Sequence, residues 1–211
     1  MSQFLAPIHS WLFKKICILE QVEKRIEEVY GNTSVSQAVK EAFGDYLPEA
    51  PLEELIDVNN IHGWLQQRIN VAERRQASLV HHFMKEDDKA IDKIVACYYE
   101  EGVFLGKAYQ EAEMMDSLNA MEIYTELNNI LLEGMPCDRV NSLVENDEKQ
   151  VVWKTVHCVH QQNWEENGVD VRNYYDFREA LTKGFVEAIA KSYQYTYQNQ
   201  EHQIHTIALV S

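Results

Sequence analysis

Hydrophobic side chains recur every three or four residues over most of the first 135 positions, and this spacing predicts a series of amphipathic helices. The first helix begins at Pro7, a residue suited to the first turn of a helix, and ends near Gly31. Glycines and prolines separate the helices that follow. We predict these further helices over residues 33–43, 60–83, 87–112 and 117–132.

The hydrophobic period shortens to two residues near position 138, which indicates β-strands. We predict strands at 140–144 and 150–160, a short helix at 161–167 ending at Gly168, a long helix from Asp170 or Asn173, and a closing strand at 202–210. The expected fold is therefore α+β. A mostly helical region (1–135) packs on a small antiparallel ββαβ sheet (136–211), and together they form one compact unit.

Two of the predicted helices begin with related sequences. The segment IHSWLFKKI starts at Ile8, and IHGWLQQRI starts at Ile61, 53 positions later. An internal duplication of 8–29 and 61–83, a pseudo-twofold pair and chance similarity all explain this repeat. If the two helices pack antiparallel, we expect His9 to contact Glu73. Glycines at 102 and 106, four positions apart within one predicted helix, indicate close packing against a neighbouring element.

Charge and composition limit the range of functions. The formal net charge is −15, from 34 acidic and 19 basic residues, which argues against binding to nucleic acid or to an anionic membrane surface. No apolar run approaches the 18 residues of a membrane span. The four cysteines include no CxxC pair, which favours reduced thiols and a cytoplasmic location. We expect a small-molecule partner and a homo-oligomer.

The densest group of reactive side chains is His157, Cys158 and His160. Because the predicted second strand runs to residue 160 and strand side chains alternate, Cys158 and His160 share one face of it, while His157 points to the other. The pair then provides two zinc ligands or a thiol beside a base. Cys137 and Asp138, just before the first strand, are the candidates for the remaining zinc ligands. Alternatively, Cys158 is a small buried hydrophobe and His160 caps the strand end.

Aromatic residues provide a second set of candidates. Tyrosine rings that face a helical groove can line a ligand pocket, with their hydroxyl groups orienting the ligand. Packing in the core is the alternative role for the same side chains. The candidate ligand-binding residues are Tyr98, Trp153, Tyr174 and Tyr175.

The final third of the chain resembles the L-2-amino-thiazoline-4-carboxylic acid hydrolase-like family and, more loosely, the 4-vinyl-reductase-type ligand-binding domains. The residues that carry the resemblance are Trp153 to Cys158, Trp164, Gly168, Asp176, Glu179, Ala180, Gly184 and Thr206-Ile207-Ala208. The resemblance implies an α+β cytosolic protein that acts on or senses a small molecule.

Three functions follow as hypotheses. The first is a hydrolase-like enzyme for a small heterocyclic or amide-like substrate, with Cys158 as nucleophile or ligand and His160 as base or ligand. In this enzyme Asp176 or Glu179 orients the reacting groups. The second is a non-catalytic module that binds a ligand or metal and serves regulation. The third is a helical interaction protein that dimerises through its repeated helices.

Overall fold

The computed structural model of the chain describes residues 5–113, 118–199 and 203–210. Its N-terminal part contains α1 (Pro7–Tyr30), α2 (Thr33–Phe43), α3 (Leu52–Leu55), α4 (Ile61–Glu86), α5 (Ala90–Glu113) and α6 (Ala120–Ile130). A 3-10 turn at Pro136–Asp138 leads into β1 (Asn141–Asn146), β2 (Gln150–Thr155), α7 (Gln161–Glu165), α8 (Val171–Ile189), β3 (Tyr193–Asn199) and β4 (Gln203–Leu209). None of the described helices combines the length and hydropathy needed to span a membrane.

The strands form one antiparallel sheet in the order β1-β2-β4-β3, so the predicted α+β class is confirmed. Two details differ from the sequence prediction. Strand β2 ends at Thr155 instead of continuing to residue 160, and β3 replaces the expected end of the last helix. In β3 tyrosines alternate with polar residues, and Tyr193 and Tyr195 are buried under the sheet. The predicted starts at 117 and 202 lie outside the described residues.

The repeated helices α1 and α4 run side by side in the same direction. His9 lies beside His62, with ring centroids 5.6 Å apart, and Tyr30 stacks on Phe83 at 3.8 Å. Both contacts join residues that are 53 positions apart, which is the interval of the sequence repeat. The antiparallel pairing of His9 with Glu73 was wrong, because parallel helices leave these residues at different levels. Whether the repeat is a duplication stays a prediction.

Helices α5 and α8 approach each other closely at glycines, as Gly102 and Gly106 led us to expect. A Cβ atom at Gly102 would overlap the carbonyl oxygen of Leu181, and one at Gly184 would overlap that of Tyr99. Side chains at these positions would force the two helices apart. The contact fixes α8, which carries several of the buried polar groups described below.

A fully buried arginine joins α4 to α1. Arg75 forms ion pairs of 2.8 Å with Glu20 and 2.9 Å with Glu23, and donates hydrogen bonds to the carbonyl oxygens of Gly44 and Asp45. Its guanidinium also lies 4.4 Å from the ring of Tyr46. Several of the Arg75 donors and both glutamate carboxylates have partners. We therefore interpret this cation as a structural link between α4 and α1.

We predict that Arg75→Met lowers the free energy of unfolding by about 3–5 kcal/mol, because it leaves two buried carboxylates without a cation. Chemical denaturation followed by circular dichroism measures this loss. The adjacent Arg74→Met is the matched control, since the Arg74 side chain is 38% exposed and forms a 2.9 Å hydrogen bond with Asn163. It should cost about 1 kcal/mol. Equal losses for the two variants would contradict the structural role of Arg75.

Candidate functional site

An ion pair between Arg178 and Glu133 lies where α8 faces the segment before β1. Helix α8 points Tyr174 and Arg178 in the same direction, because they are four residues apart. Arg178 is 6% exposed, and burial lowers its pKa to about 10, while Tyr195, Tyr197 and Tyr124 act in the opposite direction. The amide of Asn141 donates a 2.7 Å hydrogen bond to the same Glu133 carboxylate.

A chain of hydrogen bonds connects Glu133 to the underside of the sheet. Thr155 Oγ1 donates to Asn141 Oδ1 at 3.1 Å and contacts His205 Nε2 at 3.2 Å. Since the threonine proton is already donated, His205 Nε2 must donate and its Nδ1 accepts from the Tyr195 hydroxyl at 2.8 Å. This directed chain requires a neutral imidazole, and burial, with help from Arg178, lowers the pKa of His205 to about 3.

His160 forms the opposite end of the polar cluster and is completely buried. Its Nδ1 lies 2.7 Å from a carboxylate oxygen of Glu73, and its Nε2 lies 3.5 Å from the Tyr174 hydroxyl and 3.8 Å from Glu133. Burial opposes protonation of the ring, but the charge and hydrogen bond of Glu73 prevail, so the pKa of His160 is raised. His160 and Arg178 therefore each have a glutamate as partner.

Lys15 has no such compensation. It comes from α1 and is 3% exposed. Its amine lies 3.3 Å from the centre of the Trp11 ring, but none of the residues in the described ranges offers it a hydrogen-bond acceptor or an anionic partner. Burial, and secondarily the charge of Arg178, lower the pKa of Lys15 to about 7. Such an amine is partly neutral near physiological pH and can act as a base or nucleophile.

Lys15 lines two voids. The larger, which we call the α1–α6 cleft, has a volume of about 180 Å³ and opens to solvent. It is lined by Trp11 and Lys15 of α1, Tyr124 and Asn128 of α6, and the 133–141 segment. The smaller, the inner cavity, has a volume of about 30 Å³. Lys15, Tyr98, Tyr174, Arg178 and aliphatic side chains enclose it.

The cleft has a cationic character that contrasts with the net charge of −15 for the chain. Its charged lining residues are Lys15, Glu133 and Arg139, and the ion pair with Arg178 neutralises Glu133. Arg139 forms no salt bridge with any residue that the structure describes, and its backbone adopts the left-handed region at φ 51°. Non-glycine residues are uncommon in this region and cluster at functional positions.

The predicted pair Cys158 and His160 does not share a cavity. Because β2 ends at Thr155, both residues lie in the connection to α7, and strand alternation does not align them. Cys158 is half-buried in a surface depression with Gln161 and Gln162, whereas His160 faces Glu73 in the interior. The strand geometry used to place the thiol beside the imidazole was therefore wrong, and their catalytic roles stay predictions.

The four predicted metal ligands are dispersed. Cys137 is exposed and lines a separate apolar pocket with His9 and His62, and Asp138 accepts a 2.7 Å hydrogen bond from the Met135 amide. Within the described part of the chain, no three His, Cys, Asp or Glu side chains form a group that could hold a metal ion. The zinc set of Cys137, Asp138, Cys158 and His160 is thus not assembled.

Of the remaining predicted residues, two lie beside the inner cavity and the others lie elsewhere. Tyr98 and Tyr174 line the inner cavity, in agreement with a position beside a ligand. Tyr175 contacts Cys158, and Trp153 packs between His205 and Tyr195 under the sheet. Asp176 is exposed and Glu179 half-buried, and neither carboxylate bonds to Cys158 or His160.

Sequence reasoning missed Lys15, Glu133 and Arg178. A signal for two of them was present: Lys15 lies four residues after Trp11 and three after Leu12, on the apolar stripe of α1. Arg178 lies four residues after Tyr174 and three before Leu181, on the apolar stripe of α8. A cation on an apolar stripe predicts a buried charge. The sequence offered no comparable signal for Glu133, which lies in a connecting segment.

No family model, curated protein or solved structure matches the chain. The resemblance of the final third to the hydrolase-like family therefore stays a prediction.

We predict that Lys15→Met raises the free energy of unfolding by about 2 kcal/mol below pH 7, where the buried amine is charged. Above pH 7 the folded amine loses its proton while the unfolded one keeps it up to about 10.5, so wild-type stability rises with pH and the advantage of the variant shrinks. Denaturation at pH 6 and pH 9 tests this. The exposed Lys14→Met should change stability by less than about 0.5 kcal/mol. A destabilising Lys15→Met would contradict the expectation.

We predict that His205 contributes to acid sensitivity. Its folded pKa of about 3 is below the unfolded value of 6.5, so the stability that it provides above pH 6.5 is lost as the pH falls. Between pH 6.5 and 5 the wild type should lose about 2 kcal/mol more than His205→Gln. Urea denaturation at both pH values measures the difference. His62→Gln, at an exposed histidine, is the control, and equal acid losses for wild type and His205→Gln would contradict a neutral buried ring.

Proposed function

We propose that the chain binds a small organic anion, a carboxylate of metabolite size, in the α1–α6 cleft. The observation that carries this proposal is the Lys15 amine, which is buried at the wall of the cleft without an acceptor or a counter-ion from the described residues. Burying a charge without a partner costs free energy, and a ligand carboxylate would offset that cost.

The shape of the cleft supports a small ligand. Its volume of about 180 Å³ is below the range of roughly 300–1,000 Å³ that is common for drug-sized molecules. Trp11 and Tyr124 provide aromatic surface for the apolar part of the ligand. Trp11 is fixed by the 2.8 Å hydrogen bond from its Nε1 to Asn129 Oδ1, so this wall is preformed.

The charge distribution supports an anionic ligand. Lys15 and Arg139 are the lining cations without an ion pair in the described residues, whereas Glu133 is occupied by Arg178. A cationic cleft in an acidic protein attracts small anions locally, although the molecule as a whole repels them. The four free cysteines agree with the reducing, cytoplasmic location that the sequence predicts.

Isothermal titration calorimetry with a panel of short-chain and aromatic monocarboxylates tests the proposal. We expect at least one carboxylate to bind more tightly at pH 6 than at pH 8.5, because Lys15 is charged at the lower pH. Lys15→Met should weaken binding by about tenfold or more, equivalent to about 1.4 kcal/mol. Lys14→Met should bind as the wild type does. Binding that is unchanged by Lys15→Met, or absent for the whole panel, would overturn the proposal.

A further inference from the structure

We propose that Lys15 is a nucleophile that forms an imine with a small 2-oxo acid, with the carboxylate of this ligand held by Arg178. The inference rests on the proposed function and deepens it, since it names the ligand class and a covalent step at the same cleft. Three features of the structure carry it: the position of the amine, the free donors of Arg178 and the division of the site into two unequal voids.

The first feature is that Lys15 forms part of the wall of both voids. A ligand that occupies both the α1–α6 cleft and the inner cavity would therefore lie against Lys15. No acceptor from the described residues competes for its protons. The face of the Trp11 ring, 3.3 Å away, attracts the ammonium form, whereas burial disfavours the charge and lowers the pKa of Lys15 to about 7, so that a neutral, nucleophilic amine is available.

The second feature is that Arg178 offers hydrogen-bond donors towards the inner cavity. One of its nitrogens, Nη2, pairs with Glu133, but its buried Nε and Nη1 have no partner among residues 5–113, 118–199 and 203–210. Buried donors are paired in most proteins, so two unpaired ones on a single guanidinium indicate a missing acceptor. A carboxylate accepts two parallel hydrogen bonds from a guanidinium and fits this need.

The third feature is the size of the inner cavity. Its volume of about 30 Å³ exceeds the roughly 10–15 Å³ needed for one water molecule, so it admits a carboxylate group but not an entire ligand. In a 2-oxo acid the reactive carbonyl carbon is bonded directly to the carboxylate carbon. With the carboxylate at Arg178, the carbonyl lies at the boundary beside Lys15, and the remaining substituent occupies the cleft against Trp11 and Tyr124.

The covalent step is balanced without any co-reactant. The ammonium group of Lys15 first releases a proton to solvent, and the neutral amine adds to the carbonyl carbon to form a carbinolamine. As the C–N bond forms, one amine proton moves to the carbonyl oxygen, which becomes the hydroxyl group. The C–O bond then breaks and the hydroxyl group leaves as water with one proton, taken from nitrogen to give the neutral imine or from solvent to give the protonated imine. Solvent in the open cleft takes up and returns these protons, and no electron is transferred in the step.

Burial and the charge of Arg178 give the Lys15 amine a large neutral fraction near pH 7, which favours imine formation. The titratable and charged groups that line the same two voids are Tyr98, Tyr124, Glu133, Arg139, Tyr174 and Arg178. Burial and Arg178 bring the pKa of Lys15 to about 7, whereas the pKa of an exposed lysine is near 10.5. At pH 7 the neutral fraction of Lys15 is therefore about a thousand times that of an exposed lysine.

Reductive trapping tests the proposal on the intact chain. The protein is incubated at pH 7 with pyruvate and sodium cyanoborohydride, which reduces an imine to a stable secondary amine, and peptide mass spectrometry locates the adduct. We expect modification at Lys15 at least tenfold faster than at the adjacent exposed Lys14. Lys15→Arg keeps the positive charge but cannot form an imine, so it should bind pyruvate and lose the adduct at this position.

Lactate distinguishes failure of this inference from failure of the proposed function, because it has the carboxylate but no carbonyl. If lactate and pyruvate bind in a manner that depends on Lys15, but trapping leaves Lys15 unmodified or modifies Lys14 equally fast, imine formation is overturned and anion binding stands. If neither ligand binds to the wild type and no adduct forms, both are overturned. A Lys15 adduct that disappears in Lys15→Arg, while pyruvate binding persists, supports both.

Discussion

The ion pair between Arg178 and Glu133 determines the chemistry of the interior. Glu133 is the carboxylate in the lining of the α1–α6 cleft; its Oε1 contacts Arg178 and Asn141, its Oε2 is buried without a hydrogen-bond partner, and it forms no ion pair with Lys15. Lys15 therefore lies in the same region without an anion of its own among the described residues, and its amine keeps only the face of Trp11. The same ion pair ties α8 to the segment before β1, so the helical part and the sheet meet at this point.

Two buried cations show the difference between a structural and a functional charge. Arg75 has two carboxylates, two carbonyl oxygens and the ring of Tyr46 around it, and its removal would leave buried anions. Lys15 has an aromatic ring, that of Trp11, but no carboxylate or carbonyl oxygen from the described residues, so its charge is a cost to the fold. Proteins keep such costs mainly where they serve binding or catalysis. Arg75 and Lys15 lie on two helices that pack together, but among the described residues only Arg75 has anionic partners. This difference is the physical basis for locating a ligand site at Lys15.

The sequence predicted the long helices, the α+β class and the close packing of α5 at Gly102 against a neighbour that it did not identify, because periodicity and glycine spacing report local geometry. It did not predict which polar groups meet. His160 was expected on a strand beside Cys158, but β2 ends five residues earlier and the ring reaches Glu73 on α4. Hydrophobic spacing shows that Lys15 lies on a buried face of α1. It does not show which group pairs with a buried charge, because that group comes from a segment distant in the sequence. The left-handed backbone of Arg139, at the edge of the cleft, likewise has no signature in the residue type.

The most direct test of a buried, uncompensated amine is its own titration. Nuclear magnetic resonance of lysine labelled with ¹³C at the ε position follows each amine through the pH range, and Lys15→Arg identifies the Lys15 signal by its loss. An amine with the environment described here should titrate with a midpoint near pH 7. It should then shift to a higher midpoint when a carboxylate binds, because an anion stabilises the charged form. A midpoint near 10.5, the value of an exposed lysine, would contradict the central claim that burial without a partner prepares Lys15 for a ligand.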